Sequence, residues 1–108
     1  MKWQSLLLIF MLFTINPVAI AGEENPLVTI KKFKFIPQEI TIKRGQTVRW
    51  ENREKRQFHS VWFEALGEEE SDYFFPDEFH EREFTQTGSF PYRCGPHPEM
   101  TGIVHVIK

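Results

Sequence analysis

The chain has a single cysteine, Cys94, in 108 residues, so it can form no intrachain disulfide. It also lacks an apolar run of the about 20 residues that a membrane-spanning helix needs; the run from Leu6 to Phe13 is far shorter. Positive charge is not in excess: 13 Lys and Arg face 15 Asp and Glu, a formal net charge of −2. That balance argues against nucleic acid, whose phosphates select Lys/Arg-rich faces. No segment keeps a helical apolar period for longer than a turn or two, and no internal repeat is present, which argues against helical bundles and solenoids. The length allows one domain.

The start of the chain reads as an export signal. Lys2 supplies a positive charge, Leu6-Leu7-Leu8-Ile9-Phe10-Met11-Leu12-Phe13 an apolar core, and Ala19-Ile20-Ala21 a small-x-small cleavage site. The expectation is a signal peptide over 1–21 and a periplasmic domain over 22–108 without stable membrane insertion; the alternative is an uncleaved anchor. No cysteine follows Ala21 to suggest a lipoprotein, and no twin arginine precedes the apolar run. Lys2 is the one charged residue in this leader, so its loss takes the charge from −2 to −3. Met1 and Met11 leave as well, and Met100 becomes the only methionine. Small exported domains are often stapled by disulfides. A lone Cys and a lone Met six residues apart suggest a bound metal in that role, which also protects the thiol.

From Leu27 onward the text is β-like. Residues 34–43 alternate apolar and polar once past Pro37, residues 47–51 alternate again, and residues 58–63 and 102–107 read as strands. Phe90, Tyr92 and Cys94 share one parity. Residues 67–77 read as acidic and irregular. Pro37 and Pro91 fall in strand-like text and belong at edges or bulges, because proline cannot donate to a ladder. Short aromatic and β-branched runs between Gly and Pro turns indicate an all-β sandwich or barrel, and nine phenylalanines beyond the leader are expected to help fill its core.

The chemistry lies in Cys94-Gly95-Pro96-His97-Pro98-Glu99-Met100. A thiolate, an imidazole and a thioether stand three residues apart, and Gly95, Pro96 and Pro98 keep the loop out of helix and strand, so that the three side chains can converge. A thiolate with imidazoles and a weak thioether selects copper, and His₂Cys with a long axial Met is the blue-copper arrangement. The second imidazole must come from elsewhere, and His59 is the best candidate. His105, alternating with Val104 and Val106, and His80, in a charged stretch, read as surface residues.

These motifs carry a family resemblance. The Cys-x-x-His-x-x-Met loop, Trp50-Glu51-Asn52-Arg53-Glu54 followed by His59-Ser60-Val61-Trp62-Phe63, and residues 84–94 together resemble the plastocyanin/azurin family of cupredoxins, and within it the amicyanin-like blue copper proteins. The resemblance covers most of residues 27–108 and is least over 64–81. It implies an eight-strand Greek-key β-sandwich with one copper ion at one end. It also implies His59, Cys94 and His97 as equatorial ligands, Met100 as the axial one, and the edge of His97, flanked by Pro96 and Pro98, as the electron port. One position departs from the pattern: many relatives carry Asn after the first ligand His, bracing the ligand loops, where this chain has the shorter Ser60.

The expected function is therefore single-electron transfer by a monomeric type 1 copper protein rather than an enzyme. Its partners would be a c-type cytochrome or a periplasmic dehydrogenase or reductase. Two clusters bear on docking: Glu68, Glu69, Glu70, Asp72, Asp77 and Glu78 in one segment, and Lys31, Lys32 and Lys34 in another. Either is a steering surface or an ordinary solvated face. The competing readings are a copper-handling module, for which exposed Met- or His-rich tracts are missing, and a copper or cysteine-dependent enzyme. Copper enzymes need further histidine clusters, and a Cys–His nucleophile leaves the Met and Pro pattern without a role.

Overall fold

A computed structural model describes residues 25–108; the leader expected over 1–21 lies outside them. Seven strands follow in order: β1 (Leu27–Lys31), β2 (Lys34–Ile36), β3 (Glu39–Lys43), β4 (Thr47–Asn52), β5 (Phe79–Glu83), β6 (Gly88–Arg93) and β7 (Thr101–Ile107), with a single 3₁₀ turn at Glu64–Leu66. They form a four-stranded sheet in the order β2-β1-β4-β5 and a three-stranded sheet in the order β3-β7-β6. Among the described residues no helix is long and apolar enough to cross a membrane.

The period-two pattern decides which faces meet. Val28 and Ile30 of β1, Val48 and Trp50 of β4, Tyr92 of β6, and Val104 and Val106 of β7 are all buried, while their neighbours along each strand turn outward. Rings fill the space between the sheets. Trp50 meets Tyr92 and Phe63 edge-on, at centroid separations of 5.4 and 6.3 Å, and Phe35 meets Tyr92 at 4.8 Å. Of the nine phenylalanines beyond the leader, Phe35, Phe63, Phe74 and Phe84 are buried, whereas Phe33, Phe75 and Phe79 are exposed. The core needs fewer rings than the sequence supplies.

Several local expectations change. The alternating text of residues 34–43 is two strands in different sheets, because Pro37 interrupts the ladder and the chain crosses over there. Pro91 does lie on an edge strand, since β6 ends the three-stranded sheet. Residues 58–63 do not form a continuous strand. His59 pairs with Phe74 while Trp62 pairs with Arg93, and a segment that changes partner along its length builds no ladder. This accounts for seven strands among the described residues where the resemblance implies eight. Conversely, the charged text around His80 forms edge strand β5, paired antiparallel to β4 with His80 opposite Trp50.

His80 is therefore not the surface residue expected. It is half-buried, stacked on Phe74 at 6.0 Å and tilted against Trp50 at 5.8 Å. Arg82, two residues on, lays its guanidinium over Phe63 and Phe84 at 4.4 and 4.6 Å. A cation over aromatic faces stands where an apolar side chain would otherwise be, which hides β5 from a hydrophobicity pattern. His105 is also only half-buried, between Ser89 and Glu39 on the outer face of β7, away from the metal-type loop as expected.

Candidate metal centre

Two segments meet at one end of the sandwich. The first runs from the end of β4 to Phe63. Asn52, fully buried, donates from Nδ2 to the carbonyls of Gln57 and Phe74 at 2.9 and 3.0 Å and accepts the Glu54 amide at 2.9 Å. This pins the connecting loop at three places. His59 then exchanges backbone hydrogen bonds with Phe74, at 3.2 and 3.0 Å, which holds it fully buried. The second segment leaves β6 at Arg93, turns through the Gly/Pro loop and enters β7. The Cys94 amide donates to the Met100 carbonyl at 3.0 Å and the Met100 amide to the His97 carbonyl at 2.9 Å, so the loop closes on itself. Reciprocal bonds between Trp62 and Arg93, 2.8 and 3.0 Å, tie the two segments together.

The donor atoms converge. Sγ of Cys94 lies 3.6 Å from Nδ1 of His59 and 3.5 Å from Nδ1 of His97, and one ligand atom from each residue falls within 4.8 Å of the others. Donors that each hold one transition-metal ion at about 2.0–2.3 Å stand roughly 3.5 Å apart at tetrahedral or trigonal angles, so the spacing fits a single ion. Met100, 3% exposed, is buried in the same loop. One thiolate, two imidazole nitrogens and a nearby thioether suit copper in both of its common oxidation states. Among the described residues this is the one group of three or more His, Cys, Asp or Glu with metal-site spacing.

Glu54 orients His59. Its Oε2 lies 3.0 Å from the far nitrogen, Nε2, so the imidazole donates its proton there and presents the Nδ1 lone pair to the site. Burial pushes the His59 imidazole down, with Glu54 opposing it. Burial also works against the Glu54 carboxylate, but the Phe33 amide, His59 and the Lys32 amide outweigh it and hold its pKa below the ordinary value. Burial pushes the Cys94 thiol up, against the amides of Ser60 and His97 and the Ser60 hydroxyl, with the Glu70 charge adding to the rise. A bound metal ion reverses that balance, because a coordinating thiol is deprotonated outright.

Two residues near the site escaped sequence reasoning. Lys32 and Phe33 form the two-residue turn between β1 and β2, with φ of 53° and 58°, the primed-hairpin geometry. Both amides donate to the Glu54 carboxylate, at 3.1 and 2.8 Å. The turn delivers Phe33, 43% exposed, edge-on to both imidazoles, with centroids 5.6 Å from His59 and 4.8 Å from His97. A positive φ at two residues other than glycine, next to a distant carboxylate, leaves no local sequence signal. Pro96 and His97 are half-buried, and Pro98 and Glu99 are exposed.

The acidic segment is more occupied than a solvated face. Glu68 pairs with Arg82 at 2.9 Å and Asp77 with Arg53 at 3.1 Å. Glu78 accepts the Phe75 amide at 2.7 Å, and Glu70 turns inward to Ser60 at 2.7 Å.

Residues 4–106 match the model of the cupredoxin-like domain. The chain is 38% identical to amicyanin of Paracoccus versutus over 97 residues, 84% of this chain and 73% of that one. It is also 38% identical to amicyanin of Paracoccus denitrificans over 84 residues, 74% of this chain and 63% of that one. The crystal structure of the Paracoccus versutus protein superposes with a TM-score of 0.70 at 32% identity, over 80% of this chain and 84% of that one. A reduced, Cu(I) form of an amicyanin variant at pH 4 gives 0.71 at 33% identity, over 80% and 85%.

Proposed function

The chain belongs to the cupredoxin-like family, and on that premise we propose that His59, Cys94 and His97 hold one copper ion, with Met100 as axial ligand, in a periplasmic carrier of single electrons that is not an enzyme. The observation that carries this reading is the convergence of three donor atoms from two separately anchored segments. The ion supplies the one-electron couple, and the chain supplies everything that keeps its surroundings constant. Asn52, Glu54 and the Phe74 backbone fix His59, while the self-closed 94–100 loop fixes Cys94 and His97. A donor set held by the fold rearranges little when charge changes, and preorganised surroundings lower the cost of transfer.

Electrons would pass at the His97 end, where Phe33, Pro96 and Pro98 give an apolar contact patch and the hairpin carries the exposed Lys31, Lys32 and Lys34. The partners suited to it are a c-type cytochrome and a periplasmic dehydrogenase or reductase, met by a monomer. Export to the periplasm is supported by the signal-type leader of residues 1–21. Adding Cu(II) to the protein freed of its leader tests the centre. An intense visible band that disappears in Cys94→Ser, because it arises from the copper–thiolate bond, is the expected outcome. A colourless parent, or a Cys94→Ser protein as blue as the parent, overturns the assignment.

A further inference from the structure

We propose that Glu70 is a positioning residue of the metal centre: its carboxylate locks the Ser60 hydroxyl as a brace between the two ligand-bearing segments and sets a negative charge beside the site. The inference rests on the copper reading above. Ser60 follows His59 directly and is fully buried. Its amide donates to Sγ of Cys94 at 3.4 Å, and its hydroxyl oxygen accepts the Gly95 amide at 2.8 Å. A serine hydroxyl has one proton and rotates to suit its neighbours. Here the proton is committed to Oε2 of Glu70 at 2.7 Å, which aims the lone pairs at Gly95. The contact spans Glu70, Ser60 and Gly95, and so joins the residue after one ligand to the residue after another.

Gly95 belongs to the same device. A Cβ at that position would fall on the Glu70 carboxylate, with Ser60 Oγ 3.0 Å away, so a glycine here makes room for the acid. Glu70 is not a loose surface carboxylate. It is half-buried, and the next residue is anchored by Ser71 N to the Val61 carbonyl at 3.1 Å and by Val61 N to Ser71 Oγ at 2.9 Å. Its charge is felt at Cys94. A fixed negative charge favours the more positive, oxidised state of the centre, so Glu70 holds the reduction potential down.

Copper-loaded parent, Glu70→Gln, Glu70→Ala and Ser60→Ala proteins separate the brace from the charge. Gln can still accept from Ser60, so its visible band should match the parent's. Its potential should rise, with the Cu(I)/Cu(II) ratio at fixed solution potential increasing about threefold to tenfold, the scale of one unit charge across a partly wetted distance. Glu70→Ala should show the same rise and also release Cu(I) to a chelator severalfold faster. Ser60→Ala, which keeps the charge, should share the faster release. A parent that never turns blue defeats the copper reading itself. A blue parent whose Glu70 variants keep its potential and its release rate, even with some loss of folding stability, overturns this inference alone, because Glu70 would then be an ordinary loop residue.

Discussion

The Glu54 carboxylate serves His59 and the hairpin turn at once: Oε2 lies 3.0 Å from the imidazole Nε2 and 2.8 Å from the Phe33 amide. One acid therefore sets both the tautomer of a buried ligand and the position of an exposed ring over it. Carboxylate partners of ligating histidines typically contribute 10–100-fold to metal affinity. Glu54→Ala should weaken copper binding by about that factor in a competition titration, with Glu54→Gln less affected because its amide oxygen still accepts from Nε2.

Phe33 supplies contact area at the electron port. Phe33→Ala should leave the visible band nearly unchanged, since the ring donates nothing to the ion. It should slow electron self-exchange about fivefold, the effect of losing a contact of roughly 1 kcal/mol. Line broadening in mixtures of the oxidised and reduced protein measures this rate without a known partner. An unchanged rate would remove Phe33 from the docking surface.

Met100 is 3% exposed and packed with Cys94 in the core. Met100→Ala should lower the stability of the copper-free protein by about 2–5 kcal/mol, as for other buried Met truncations, read from urea unfolding. With copper bound, the variant should keep the ion and shift its potential, because the axial ligand tunes the couple without carrying most of the bonding.

His80 links stability to pH. Burial against Trp50 and Phe74 holds its pKa below the ordinary 6.5, so below that pH the unfolded chain takes up a proton that the folded chain resists. The contribution is complete above pH 6.5 and is lost as pH falls from there toward the folded value. Urea midpoints of the copper-free protein should drop between pH 7.5 and 5.5. In His80→Phe the drop should be smaller, the remainder coming from groups such as His59; identical slopes in the two proteins would exclude His80 as a contributor.

The acidic segment makes a narrower prediction than its composition suggests. Glu68 and Asp77 are paired with arginines and Glu70 with Ser60, which leaves Glu69 and Asp72 as the outward charges to test. If they steer a basic partner, reversing both should flatten the salt dependence of the transfer rate, since screening sets in over about 8 Å at physiological ionic strength. A salt dependence untouched by the reversal would mark this face as merely solvated.

The sequence by itself determined the alternation that builds the sandwich, the loop that brings Cys94, His97 and Met100 onto one turn, and His59 as the imidazole to complete the set. These are local properties: a period of two, residues three apart, prolines that forbid helix and strand. Only the tertiary structure decided what steadies that set. Glu54 reaches His59 together with a hairpin more than 20 residues away, Glu70 reaches Ser60 and Gly95 across the acidic loop, and Arg82 and His80 turn a charged stretch into an edge strand by lying on rings. A carboxylate that orients a ligand and one that faces water are the same letter in a sequence. The difference lies in which amides and imidazoles the fold places within about 3 Å of it.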